Sequence, residues 1–213
     1  MPKTEPFNKF TDEYESWFKS NPLAFKSELN AIKKALPGKG KTIEVGIGTG
    51  IFAKALGIGK GIDPSEAMRK KAMEKGIKAG YGIAEDLPYN DKSIANLLMI
   101  TTLCFVDDIR KSFEEVQRVL WDHGCFIIGY IDRDGPVGQY YEENRKDSLF
   151  FRDAKFYTWN EISGLLRETG FSVEKTYQTL FGKANGINKL HEVITGHGQG
   201  SFVVIKALKQ PDH

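Results

Sequence analysis

The chain has 213 residues, of which 40% are hydrophobic and 27% charged, and its formal net charge is +2 at pH 7. These values predict one soluble globular domain, and the lack of a basic block argues against nucleic acid as the main partner. No apolar signal segment opens the chain, and the longest apolar run, Leu97 to Val106, is too short to span a bilayer. We therefore expect a cytoplasmic protein with no membrane partner.

The first 36 residues are predicted to form a helical cap. Two runs recur at helical spacing: Phe7, Phe10, Tyr14, Trp17 and Phe18, and then Phe25, Leu29, Ile32 and Leu36. Asn21 and Pro22 separate the runs and suit the start of the second helix.

Strands and helices alternate after residue 41. Strands are predicted at 41–45, 59–63, 77–83, 94–101, 125–131, 171–181 and 201–208. Helices are predicted after the glycines to about residue 56, and at 64–76, 109–120 and 158–169. This alternation predicts an α/β fold, a three-layer sandwich with right-handed crossovers. The last two strands have no helix-length pattern between them, so they are expected to pair antiparallel.

A glycine repeat follows the first predicted strand, in "TIEVGIGTGIFA" (42–53). Gly46, Gly48 and Gly50 lie at the carboxyl end of that strand, where open α/β sheets bind ligands. The alternative interpretation is a tight turn that only lets a helix pack. A dinucleotide G-x-G-x-x-G would need glycine at position 51, which is Ile51, and no G-K-[ST] follows as in a P-loop.

Asp63 ends the second predicted strand, in "GIDPS". A carboxylate at this place can accept hydrogen bonds from both hydroxyls of a ribose, as the acidic residue of dinucleotide sites does. It could instead only complement the N-terminus of the next helix. Combined with the glycines, Asp63 favours a nucleoside ligand.

Four segments together resemble class I S-adenosylmethionine-dependent methyltransferases, in particular the small-molecule branch related to quinone-biosynthesis enzymes. They are "IEVGIGTG", "GIDPSEAM", "AEDLPYNDKSIANLLM" and "FVDDIRKSFEEVQRVLWDHGCFIIG". The resemblance covers residues 42 to about 180 in order. It implies a Rossmann-like, seven-stranded and mostly parallel sheet in which the last strand is antiparallel, with S-adenosylmethionine as the cofactor.

The resemblance also implies roles for individual residues. Glu44 would hold the methionine amino group, the three glycines would back the methionine and ribose, and Asp63 would bind the ribose. The remaining expected cofactor contacts are Met68, Ala84 and Glu85 near adenine and Thr101 near the methyl group. Many relatives carry an acid before the alanine, whereas this chain has Ile83. The contact to the adenine amino group would then pass to Glu85 or Asp86, or be missing.

The predicted organisation is one methyltransferase domain, 1–213. It comprises the helical cap 1–36, a cofactor-binding half 42–131, a lid insertion 132–157, and the C-terminal helix and last two strands at 158–208. Lid side chains expected to face the substrate are Tyr14, Trp17, Tyr140 and Phe151. Cys104 and Cys125 are not spaced as metal ligands, so no metal is expected.

The expected reaction is methyl transfer to a small molecule through an amine, hydroxyl or thiol. The segment after strand four holds no carboxylate, histidine or N-P-P-Y motif, so positioning would supply most of the catalysis. No catalytic residue is assigned; His191, in the loop before the last strand, is the best candidate base, ahead of His197. Two alternatives stay open: a protein that binds S-adenosylmethionine without catalysis, and an NAD(P)-dependent oxidoreductase on a Rossmann-like fold.

Overall fold

The computed structural model describes residues 3–182 and 187–211. The helices are α1 (Glu5–Lys9), α2 (Thr11–Ser20), α3 (Pro22–Ala35), α4 (Ile51–Leu56), α5 (Glu66–Glu74), α6 (Ile109–Val119), α7 (Pro136–Glu143) and α8 (Trp159–Glu168). The strands are β1 (Thr42–Val45), β2 (Lys60–Ile62), β3 (Lys78–Gly80), β4 (Ile94–Ile100), β5 (Leu120–Ile131), β6 (Phe171–Thr179), β7 (Ile194–Thr195) and β8 (Phe202–Lys209). Within these ranges, no helix has the length and apolar character needed to cross a membrane.

The strands form one sheet in the order β3-β2-β1-β4-β5-β8-β6-β7. The first five strands of the chain pair parallel, and β8 lies between β5 and β6, antiparallel to both. The predicted α/β fold, with an antiparallel last strand, is confirmed. The two-residue strand β7 adds an eighth strand at the edge, paired with β6.

Helices cover both faces of the sheet and give three layers. On one face α3 and α4 bury Ile32 and Phe52, and on the other α6 and α8 bury Phe113 and Ile162. The central strand β4 is apolar on both sides because it is covered on both sides. This packing holds the carboxyl ends of the parallel strands at one edge.

Strand β5 begins earlier than its sequence suggests. The segment 121–124, predicted as a turn, lies inside the strand. Ile94 pairs with Leu120 and Asn96 pairs with Cys125, so several residues of β5 bulge out opposite one residue of β4. His123 has a φ of 62°, which supplies the local bend while the ladder continues on both sides.

The insertion (residues 132–157) contains α7 and a 3₁₀ turn, Arg145–Asp147. It is tied to the last strand, since the Asp132 N–H donates to the Ser201 carbonyl at 2.8 Å and the Val137 N–H to Ser201 Oγ at 3.0 Å. Lys3 Nζ donates to the Asp153 carbonyl at 3.0 Å. The insertion and the N-terminal arm (residues 3–20, with α1 and α2) therefore meet. After the insertion, the predicted helix at 158–169 is α8, which begins with a capping box formed by Thr158 and Glu161.

Candidate functional site

A cavity of about 840 Å³ opens at the carboxyl ends of the parallel strands. Its sheet side is lined by Val45, Gly46, Gly48, Asp63, Ile100, Thr101 and Ile131. The N-terminal arm, α3 and the insertion form its other walls. Among the described residues, no cluster of potential metal ligands is present.

The glycine repeat shapes one wall of this cavity. Gly46 and Gly48 line it, and both have left-handed φ angles, 72° and 55°. A Cβ on Gly46 would overlap the side chain of Thr102. A Cβ on Gly48 would lie 3.7 Å from the Tyr14 hydroxyl, so the missing side chain of Gly48 leaves ligand space next to the backbone.

Gly50 has a different role from the other two. Its φ is 73°, and a Cβ there would lie 2.5 Å from Ile77 Cδ1 and 3.2 Å from Ala72 Cβ. Gly50 is not among the described residues that line the cavity. Its lack of a side chain lets the start of α4 pack against Ile77 and α5, and its expected place behind the cofactor stays a prediction.

Glu44 lies in β1, just behind the cavity wall formed by Val45 and Gly46. Its side chain is buried, and its Oε2 has no hydrogen-bond partner among the residues described. Burial, helped by the charge of Asp63, raises the pKa of Glu44 well above its usual value. A buried carboxylate oxygen without a donor is costly, and an ammonium group bound beside the glycines would supply one.

Asp63 joins β2 to the glycine repeat. Its Oδ2 accepts the Gly48 N–H and its Oδ1 accepts the Ser65 N–H, both at 2.8 Å. Burial raises the pKa of Asp63, while these two hydrogen bonds oppose the shift. Each carboxylate oxygen retains a second acceptor position, so the pair can still receive the two hydroxyls of a ribose.

The expected adenine wall lies along the same cavity. Met68, Ile83, Ala84 and Glu85 all line it. Glu85 Oε1 accepts the backbone N–H of Asp107 at 2.7 Å, which joins this segment to the start of α6. The fixed carboxylate of Glu85 therefore borders the cavity, whereas Ile83 presents an apolar surface.

Thr101 lies directly after β4 and lines the cavity in a left-handed conformation, with a φ of 51°. Its N–H donates to the Gly129 carbonyl at 2.7 Å, and its carbonyl accepts the Cys104 thiol at 3.3 Å. A left-handed φ is uncommon for a threonine, and residues strained in this way cluster at ligand sites as well as at turns and bulges. Burial raises the pKa of Cys104 to about 12, so its thiol is an inert part of this support.

Aromatic side chains close the cavity from above. The four predicted lid residues, Tyr14, Trp17, Tyr140 and Phe151, all line it. Phe7 connects the two roof segments, because its ring centroid lies 5.6 Å from Phe150 and 4.9 Å from Phe105. Tyr14 also contacts Phe150, at 5.7 Å between centroids. The N-terminal arm and the insertion thus form one aromatic roof.

His191, the predicted candidate base, is placed elsewhere. It is buried, and it is not among the described residues that line the cavity. Its Nδ1 accepts the Phe181 N–H at 2.8 Å, and its own backbone N–H donates to Ser27 Oγ at 3.0 Å. Burial lowers the pKa of His191, in keeping with a neutral acceptor. These contacts give His191 a structural role, and its part as a base stays a prediction.

Glu28 is a site residue that the sequence interpretation missed. It lies on α3, lines the cavity and is only 6% exposed. Burial raises its pKa to about 8. The signal in the sequence was a carboxylate inside the apolar helical stripe that includes Phe25 and Ile32.

Comparison with known proteins gives concordant results. Residues 43–128 match the family model described as a methyltransferase domain. An uncharacterized protein of Methanocaldococcus jannaschii is 42% identical over 203 residues, covering 95% of this chain and 98% of that protein. A crystal structure of a SAM-dependent methyltransferase from Thermotoga maritima is 40% identical, with a TM-score of 0.93 over 97% of this chain and 100% of that one.

Proposed function

Because the chain belongs to the class I S-adenosylmethionine-dependent methyltransferases, we propose that it methylates a small-molecule acceptor held beneath its aromatic roof. The chain is an enzyme of this family, and S-adenosylmethionine is its cofactor. The observation that carries the proposal is one continuous cavity. It extends from the glycine repeat and Asp63 to a chamber between α3, the N-terminal arm and the insertion.

The residues at the sheet edge fit the cofactor in the order expected. Glu44, with its unpartnered Oε2, would receive the ammonium group, and Asp63 would receive the ribose hydroxyls. Met68, Ala84 and Glu85 would border the adenine, with Gly46 and Gly48 behind the methionine portion. When bound, the cofactor supplies a methyl group on a positively charged sulfur.

The chain's own contribution is alignment and exclusion of water. Positioning two reactants can contribute about 7–11 kcal/mol to lowering a barrier. Phe7, Phe105 and Phe150 form a closed aromatic contact over the site, which limits access of water. Electron-rich ring faces such as that of Tyr14 can also attract a nearby cation.

The size of the cavity favours a small acceptor. About 840 Å³ lies within the range of about 300–1,000 Å³ typical of small-molecule sites, and here cofactor and acceptor share it. This supports a small molecule rather than nucleic acid or a membrane surface as partner. The Thermotoga maritima structure is described as a possible histamine N-methyltransferase, which supports an amine among the candidate acceptors.

Calorimetry and turnover together test the proposal. S-adenosylhomocysteine should bind with micromolar-range affinity, and transfer of a labelled methyl group should occur to at least one member of an amine, phenol and thiol panel. Binding without turnover on the whole panel would favour a protein that only binds the cofactor. A larger thermal shift with NADH or NADPH than with S-adenosylmethionine would favour the oxidoreductase and overturn the proposal.

A further inference from the structure

One of the carboxylates that line the cavity, that of Glu28 on α3, has no role among the expected cofactor contacts. The same cavity is lined by the apolar side chains of Ala24, Val137, Leu180 and Ile187. Apolar side chains cannot solvate a charge. Among the residues the structure describes, none makes a hydrogen bond or ion pair with Glu28, and burial alone accounts for its altered pKa.

A buried carboxyl without hydrogen-bond partners is costly even when it is protonated, and ionising it without a cation beside it costs more. Glutamine or leucine would fill the same helical position at lower cost. Glu28 also faces a cavity rather than packed side chains. Its partner is therefore to be sought among the ligands of the cavity.

The charge around the cavity restricts what that ligand can be. The acidic side chains that line it are Glu28, Asp63, Glu85 and Asp107, against one described basic side chain, Lys3. Lys3 Nζ is engaged by the Asp153 carbonyl. The titratable groups that electrostatically face Glu28 are Tyr14 of α2 and Tyr141 of α7, and burial raises the pKa of both, so both stay neutral. A cation is the ligand that this field favours.

We propose that Glu28 is the acceptor-binding residue of the proposed methyl transfer: it pairs with the ammonium group of a primary or secondary amine and takes its proton. The proton transfer breaks one N–H bond of the ammonium and forms one O–H bond on Glu28. The products are a neutral amine, with a free lone pair, and a neutral carboxylic acid. The inference rests on the proposed function, because the nitrogen must be neutral to accept a methyl group.

The altered acidity of Glu28 supports this role. A simple amine, taken at the lysine value, has a pKa of about 10.4, so an ordinary carboxylate would take its proton with an equilibrium constant of roughly one in a million. Burial gives Glu28 a pKa of about 8 before a ligand binds, which makes it a stronger base than an ordinary carboxylate, whereas the paired ammonium shifts this pKa back down. Tyr14 and Tyr141 also line the cavity, and the face of an aromatic ring attracts a cation that lies near it.

Titration calorimetry on the protein saturated with S-adenosylhomocysteine tests the inference without relying on turnover. The probes are 2-phenylethylamine, histamine and the uncharged 2-phenylethanol. Below pH 8 free Glu28 is protonated and the free amine is charged, so binding at pH 7 releases close to one proton. Repeating the titration in buffers of different ionisation enthalpy measures the number of protons released per amine bound. Affinity should rise about tenfold per pH unit up to pH 8 and level off above it.

Glu28→Gln should weaken amine binding about 10- to 150-fold and leave 2-phenylethanol unaffected. Glu28→Asp should retain the proton release with reduced affinity. Glu13→Gln, an exposed glutamate of α2, serves as the matched control and should match the wild type. Each variant is first titrated with S-adenosylhomocysteine, whose affinity should stay within twofold.

The outcomes separate the two proposals. Absence of S-adenosylhomocysteine binding to the wild type would overturn the proposed function. Normal S-adenosylhomocysteine binding together with unchanged amine affinity in Glu28→Gln would overturn only the role of Glu28. That role is also overturned if neither amine binds the saturated wild type, or if 2-phenylethanol binds as tightly as 2-phenylethylamine.

Discussion

The carboxylate of Asp63 accepts the backbone N–H of Gly48 at 2.8 Å, so the end of β2 and the turn after β1 form one unit. A second hydrogen bond, from the Ser65 N–H, fixes the other oxygen. The two elements that the sequence singled out separately are thus joined directly. Local backbone order at this edge of the sheet depends on the carboxylate that we propose to bind the ribose.

Asp63→Asn should weaken S-adenosylhomocysteine binding about 10- to 100-fold. An amide has only one acceptor oxygen, so its NH₂ group would face either the Gly48 or the Ser65 N–H, and the charge that strengthens hydrogen bonds to ribose is lost. Calorimetry measures the affinity, and Asp153→Asn, an exposed aspartate of the insertion, is the control. An unchanged affinity in Asp63→Asn would remove this residue from the cofactor site.

Gly50→Ala should lower the free energy of unfolding by about 2–4 kcal/mol, from left-handed strain and from overlap with Ile77. Gly57→Ala is the matched control: its φ is 71°, but nothing lies within 4 Å of its added Cβ, so only the strain of about 1–2 kcal/mol applies. Adding Ile77→Val, which removes Cδ1, should recover part of the loss in a double-mutant cycle measured by urea unfolding. Equal losses at positions 50 and 57 would contradict the packing role.

His191→Ala should lower the melting temperature by a few degrees and leave kcat within about threefold, because the imidazole Nδ1 serves the Phe181 N–H. His191→Asn offers an oxygen acceptor in its place and should recover part of the stability. Steady-state kinetics over pH 6–9 completes the test. A loss of kcat larger than about 100-fold, with the fold intact, would restore His191 as a base.

Protein stability should fall as the pH rises from about 4.5 to about 8, in part because of Glu28. Its folded pKa of about 8 lies above the ordinary value of 4.5, so the folded state binds the proton more tightly than the unfolded state does. The contribution of Glu28 protonation to the free energy of unfolding is fully present below pH 4.5 and is lost as the pH rises through 8. Glu28→Gln should therefore melt roughly 5–10 °C higher than the wild type at pH 9, measured without ligand. If the melting temperatures of the wild type and Glu28→Gln changed in parallel between pH 5 and 9, the raised pKa of Glu28 would be contradicted.

Much of the fold follows from local patterns along the chain. The alternation of strands and helices, the capping box of Thr158 and the glycine repeat are short-range signals, and the ligand edge follows from parallel pairing. The bulge of β5 was not predictable because residues 121–124 have the chemistry of a turn, and only the pairing with β4 shows that the strand continues.

The place of a residue at the cavity was predictable where the chain itself brings it to a strand end, as at Asp63 and Thr101. The role of a residue was not predictable where it depends on a contact with a distant part of the chain. The function of Gly50 depends on Ile77 of a neighbouring segment, and His191 meets Phe181 only after the last loop folds back. That Glu28 lines the cavity could not be predicted without knowing which face of α3 is turned toward the cavity.

The expected cofactor contacts lie along the carboxyl ends of the strands, whereas the roof is made of two chain segments that meet through Phe7 and Phe150 and through Lys3 and the Asp153 carbonyl. If the acceptor binds beneath this roof as proposed, the choice of acceptor is separable from the binding of the cofactor. Exchanging the arm and the insertion between relatives would then redirect the enzyme to a new acceptor without rebuilding its core.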